Sequence, residues 1–164
     1  MAEPVLLFLK ANGKDIAGDG PRKTLGPDRP PNECITFDHA VNTARETATG
    51  AATGRRTYDP IVIRKRIDAS SVLLAKAMVN NEVIEGSFLF FRPGGPADGS
   101  AQPFYTIEIT DGRLAGLKQY VQDTTDVAHA AAPPLEELKF TFHHIKWTWT
   151  EGGKSHEDAW GQNG

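Results

Sequence analysis

Residues 58–92 read YDPIVIRKRIDASSVLLAKAMVNNEVIEGSFLFFR: strand, short helix, strand. Ile61, Ile63 and Ile67 fall on one face of an alternating run, with Val62, Arg64 and Arg66 on the other, a period of two. Asp68, Ser70 and Ser71 supply side-chain oxygens for free N–H groups at a helix start, and they are the candidate caps. Val72–Val79 holds mostly good helix formers, with Leu73 or Leu74 set to face a sheet. Asn80 and Asn81 tolerate the left-handed conformation that stops a helix. Strand pattern resumes at Val83 and runs through Phe88–Phe91. A short helix amid strands must lie against a sheet, because alone it is marginal in water.

Around this stretch the chain reads as strands. Pro4–Lys10 is a buried strand followed by an Asn12-Gly13 turn. Gly18–Pro31, rich in glycine and proline, is irregular or weakly paired. Glu33–Val41 alternates, with Ile35, Phe37 and His39 against Thr36, Asp38 and Ala40. Thr43–Thr57 is rich in Thr, Ala and Gly and can bury little, so it reads as an exposed loop too long for a simple hairpin connection. Pro93–Pro103 is a turn or loop without the lysine and following helix of a phosphate cradle. Phe104–Thr110 and Arg113–Gln122 read as a hairpin about an Asp111-Gly112 turn. Gly116 marks a bulge or a close backbone approach. After the polar segment Asp123–Pro134 comes a long strand, Leu135–Thr150, whose apolar parity changes from Leu138, Phe140 and Phe142 to Ile145, Trp147 and Trp149. Either a bulge at His143-His144 or a passage between two packed surfaces explains that change. Gly152-Gly153 turns the chain into a last strand, Ser155–Trp160. About eight or nine strands and one helix give a mainly β fold, a small antiparallel barrel or two-sheet sandwich in a single domain, 1–164.

Composition bounds the function. The 164 residues suffice for one core that buries roughly 70% of the unfolded surface. Cys34 is the lone cysteine, has no internal partner and reads as a small buried hydrophobe. A net charge of −3 gives no electrostatic case for nucleic acid, and no apolar run is long enough to span a bilayer. Val5–Leu9 lacks the basic flank of a signal peptide. His143, His144 and His156 are candidate metal ligands, but neighbours on a strand point to opposite faces and no Cys, Asp or Glu spacing completes a site. Ser155, His156, Glu157 and Asp158 hold the residue types of a hydrolase triad without its geometry. Arg64-Lys65-Arg66 and Arg55-Arg56 read as solvated or interface faces, and Trp147 and Trp149 as core or interface aromatics.

Two signatures point to a family. One is Ile67-Asp68-Ala69-Ser70-Ser71 leading into Leu73-Leu74-Ala75-Lys76-Ala77. The other is Ile145-Lys146-Trp147-Thr148-Trp149, followed across a glycine turn by His156-Glu157-Asp158-Ala159-Trp160. Leu6–Lys10 and Glu85-Gly86-Ser87-Phe88 also fit. The chain resembles the haemolysin-coregulated proteins (Hcp), the tube proteins of type VI secretion systems, over nearly its whole length. An early strand that many members fill with tryptophan reads Ile35-Thr36-Phe37-Asp38-His39 here. The resemblance implies a phage tail-tube-like barrel of two sheets flanked by one helix, hexameric rings that stack into a tube, and no catalysis, cofactor or metal. Implied partners are further copies of the chain, a spike protein at the tube tip, sheath and baseplate components, and effectors in the lumen. Nucleic acid and membrane insertion are not implied. Assembly in the cytoplasm and export without a signal peptide are. The Thr43–Thr57 loop corresponds to the family's extended loop that reaches a neighbouring subunit, which makes Thr47, Thr49, Gly50, Thr53, Arg55, Arg56 and Tyr58 candidate interface residues. The other reading is a ring-forming secreted effector or a cargo-binding carrier without a tube role.

Overall fold

A computed structural model describes residues 5–19, 30–92 and 102–160. The Gly18–Pro31 and Pro93–Pro103 segments fall largely outside them. The described strands are β1 (Val5–Ala11), β2 (Lys14–Ile16), β3 (Asn32–Cys34), β4 (Thr36–Asp38), β5 (Val41–Arg45), β6 (Ala52–Tyr58) and β7 (Ile61–Arg66). The helix α1 (Ser70–Val79) follows. Then come β8 (Ile84–Phe90), β9 (Tyr105–Tyr120), a 3₁₀ turn at Val127–His129, β10 (Leu135–Thr141), β11 (His144–Trp149) and β12 (Lys154–Ala159).

Every ladder is antiparallel. The main path runs β2-β1-β8-β9-β10-β7-β4, with β11 joining β9 to β12 and β3 paired to β1. The fold is mainly β, as the sequence implies, but the barrel is not closed: among the described residues β2 pairs only with β1 and β4 only with β7. Asn12 and Gly13 both take positive φ, 49° and 80°, the conformation a two-residue hairpin loop between β1 and β2 requires.

The hairpin expected at Asp111-Gly112 does not exist. β9 passes straight through both residues as one long strand. Its first half pairs with β8 and β11, its second with β10. Asp111, at φ 50°, marks a bulge where β9 holds one residue more than β8 between the pairs Gly86–Ile109 and Ile84–Gly112. A Cβ on Gly112 would lie 2.7 Å from the Thr141 carbonyl oxygen. The signal read as a turn is thus a corner, and glycine is there for backbone approach.

The long C-terminal strand bends at the same corner. Leu138, Phe140 and Phe142 are buried, then Ile145, so the parity changes between β10 and β11. Register with β9 is kept across the change, Thr141 opposite Arg113 and His144 opposite Thr110. On β9 the buried positions shift likewise, from Ile107 and Ile109 to Gly112 and Leu114. Both strands turn together from one sheet into the other. A separate register shift lies at Lys139/Phe140, beside Gly116.

A similar crossing corrects Glu33–Val41. Ile35, read on one face with Phe37 and His39, is 50% exposed. It sits at the break between β3, which pairs with β1, and β4, which pairs with β7. Phe37 packs edge-on to Phe88 and Phe90 at the core margin. The core itself gathers Leu7, Leu9, Ile61, Ile63, Phe88, Ile109, Leu138 and Phe140 between the sheets, and α1 adds Leu74 and Ala77. Burying Leu74 contributes about 1.5–3 kcal/mol. Leu73 stays 41% exposed, so Leu74 is the residue that docks the helix. Asn81, at φ 51°, ends it.

Candidate functional site

The segment 41–58 is not an irregular loop. β5 and β6 form a two-stranded sheet that pairs with no other strand among the described residues. Val41 lies opposite Tyr58, Thr43 opposite Arg56 and Arg45 opposite Ala52. The turn is closed by Gly50, at φ 72°, whose N–H donates to the Glu46 carbonyl, and by Thr49 Oγ1 donating to Glu46 Oε2 at 2.8 Å. The hairpin leaves no alternating apolar signal because both of its faces are solvated: among residues 41–57 only Thr43 is even partly covered. Thr47, Thr49, Gly50, Thr53 and Arg55 therefore stand on an exposed arm, the first three at its tip. Isolated two-stranded hairpins are marginal in water, so an arm of this kind depends on its root.

The root is aromatic. Tyr58, 7% exposed, stacks with His39 and Trp147 and meets Phe142 and Trp160. Trp147 in turn stacks on His156. Burial holds the His39 imidazole below its ordinary pKa, and its Nε2 finds no hydrogen-bond partner among the described residues. Arg56 and Tyr58, two apart on β6, point to the same side and converge on one carboxylate of β12. Arg56 Nε and Nη2 donate to Asp158 Oδ2 and Oδ1 at 2.5 and 2.7 Å, and Nη2 also donates to the Ala159 carbonyl at 3.2 Å. The Tyr58 hydroxyl donates to Asp158 Oδ2 at 2.5 Å. The Arg56 hydrogen bonds hold Asp158 below the usual carboxylate range, while burial, aided by the bond to Asp158, pushes the Tyr58 phenol up. Sequence reasoning singled out Arg56 and Tyr58 as contacts to another subunit, and Asp158 as part of a discarded triad and of a family signature, with no link to the other two. The structure brings all three together within one chain.

A second polar cluster lies at the start of α1. Lys65, expected on a solvated or interface face, is 1% exposed. It sits directly opposite Glu136, 0% exposed, and donates to Glu136 Oε1 at 2.6 Å and Asp68 Oδ1 at 3.0 Å. Ser71 Oγ and Gln119 Nε2 also donate to the Glu136 carboxylate. Asp68 Oδ1 accepts from the Ser70 N–H at 2.9 Å and from the Ser70 hydroxyl, and the Asp68 N–H donates to Ser71 Oγ. Asp68, Ser70 and Ser71 thus share one network that ties the helix start to β7 and β10.

The histidines lie apart in role. His143 Nδ1 contacts the Trp160 carbonyl oxygen, His144 is exposed, and His156 stacks on Trp147. No group of three or more His, Cys, Asp or Glu able to hold a metal occurs among the described residues. Cys34 is buried, which pushes its thiol pKa well up and keeps it unreactive. No helix among the described residues is long and apolar enough to cross a membrane.

This architecture, antiparallel sheets with one docked helix, is shared with solved Hcp structures. The structure of the Hcp1 protein from E. coli EAEC 042 superposes with a TM-score of 0.79 at 25% identity, over 97% of this chain and 99% of that one. Secreted protein Hcp3 from Pseudomonas aeruginosa gives 0.70 at 23% identity, over 96% and 97%. Residues 8–149 match the family model described as type VI secretion system effector, Hcp, and the chain belongs to that family. Among curated proteins, the "Major exported protein" of Pseudomonas aeruginosa is 31% identical over 125 residues, 76% of this chain and 72% of that protein.

Proposed function

We propose that the chain is a structural subunit of a type VI secretion tube, closing into hexameric rings that stack, carry effectors in the lumen and leave the cell with them. It acts by assembly rather than by catalysis. Its partners are its own copies, the spike at the tube tip, and the sheath and baseplate around the tube. Family membership supports this reading, as does the export named for the Pseudomonas relative. The observation that carries it is the arm: a hairpin solvated on both faces that a neighbouring subunit can cover. A head-to-tail contact of this kind closes into a ring when its rotation allows.

The test shortens the arm. Replacing residues 43–55 by a Gly-containing turn, with Arg56 and Tyr58 retained, leaves the barrel folded, because loop length changes closure entropy only slowly. The expected variant has native circular dichroism, a lost or weakened ring peak on gel filtration, and failed export. Wild-type rings and export would show the arm to be slack.

A further inference from the structure

We infer that Asp158 is a positioning residue: the Arg56–Asp158–Tyr58 clasp fixes the direction in which the arm leaves its own subunit, so that the arm is aimed before it meets a neighbour. Among the described residues the β5–β6 sheet has no ladder to the rest of the fold. Its chain connections lead into β4 and β7, which belong to one sheet, whereas Asp158 stands on β12, the edge strand of the other. The clasp is therefore a hydrogen-bonded link between the arm and a strand that lies 102 residues further along the chain. Arg56 meets the carboxylate with two parallel N–H donors, the geometry that gives direction as well as attraction. Tyr58 is locked by its aromatic neighbours, so its hydroxyl holds the carboxylate in place from the buried side. A single acidic residue thus receives both the Arg56 and the Tyr58 donors. Pre-aiming lowers the ordering cost of association, since fewer arm orientations are lost on docking.

The inference rests on the self-assembly reading for its consequence, but not for its first measurement. Hydrogen exchange over residues 41–58 is compared between wild type, Asp158→Asn, Arg56→Gln and the exchanged pair Arg56→Asp/Asp158→Arg, at matched oligomeric state. Self-association is measured by sedimentation in parallel. Arg56 lies on the exposed arm, so Arg56→Gln keeps the core intact if Asp158→Asn disturbs it. The expected result is several-fold faster exchange across the arm in both single variants, unchanged exchange in β7–β10, weakened association, and partial recovery of both in the exchanged pair. Added salt has the same direction of effect, since the ion pair is partly exposed. Arm exchange at the wild-type rate in both single variants overturns the clasp. Faster exchange with undiminished association overturns its role in assembly. A wild-type chain that stays monomeric contradicts the proposed function, while the exchange result still decides the clasp.

Discussion

Lys65 and Glu136 form a buried ion pair between facing positions of β7 and β10. Such a pair repays its desolvation only through good geometry and further hydrogen bonds, and here Ser71, Gln119 and Asp68 provide them. Glu136→Ala leaves the buried lysine with Asp68 as its remaining counter-ion, and the expected cost is up to about 3–5 kcal/mol in denaturant unfolding. Replacing both partners by Met and Leu is expected to be neutral or stabilising. Asp68 gives a pH signature. Burial pushes its carboxyl up, but hydrogen bonds from Ser70 and Lys65 outweigh that, and its folded pKa lies below the ordinary value. Its contribution is therefore complete above the unfolded pKa of about 3.9 and is lost as pH falls through the folded one. Asp68→Ala should cost about 1 kcal/mol near neutrality and flatten the acid limb of the stability curve. The period of two already set Lys65 on the side of Ile61 and Ile63. Its counter-ion, 71 residues away, was not legible, so the basic run passed for a solvated or interface face.

The helix offers a sharper contrast. Leu74 is 0% exposed and Leu73 41%. Leu74→Asp buries an unpaired charge and is expected to destabilise by several kcal/mol, whereas Leu73→Asp should cost less than about 1 kcal/mol; thermal melts decide. Equal melting temperatures would mean that α1 is not docked through Leu74. The helix was readable because formers and stop residues agree over one short stretch; its N-cap position falls on Ala69, which makes no side-chain cap bond, while Asp68, one residue earlier, accepts from the Ser70 N–H. Strand identity was readable too, but strand partners were not. Asp111-Gly112 carries the local chemistry of a two-residue turn, and only the partners of β9 on both sides show that the chain goes straight on. The arm escaped for the opposite reason, since a hairpin with two wet faces has no apolar alternation to read.

Over the whole molecule, the described surface keeps several large apolar side chains in water, among them Val72, Val79, Val121 and Val127. In the proposed ring these and the arm are what neighbouring subunits have available to cover. The family was legible from motifs spread along nearly the whole chain. The candidate site was legible only in part, because Arg56 and Tyr58 were singled out while Asp158 comes from the far end of the chain. Assembly is the central claim, and the mass of the purified protein in solution tests it most directly. Light scattering on the gel-filtration peak is expected to give a hexamer of the 17.8 kDa chain. A monomeric mass at high micromolar concentration would contradict it.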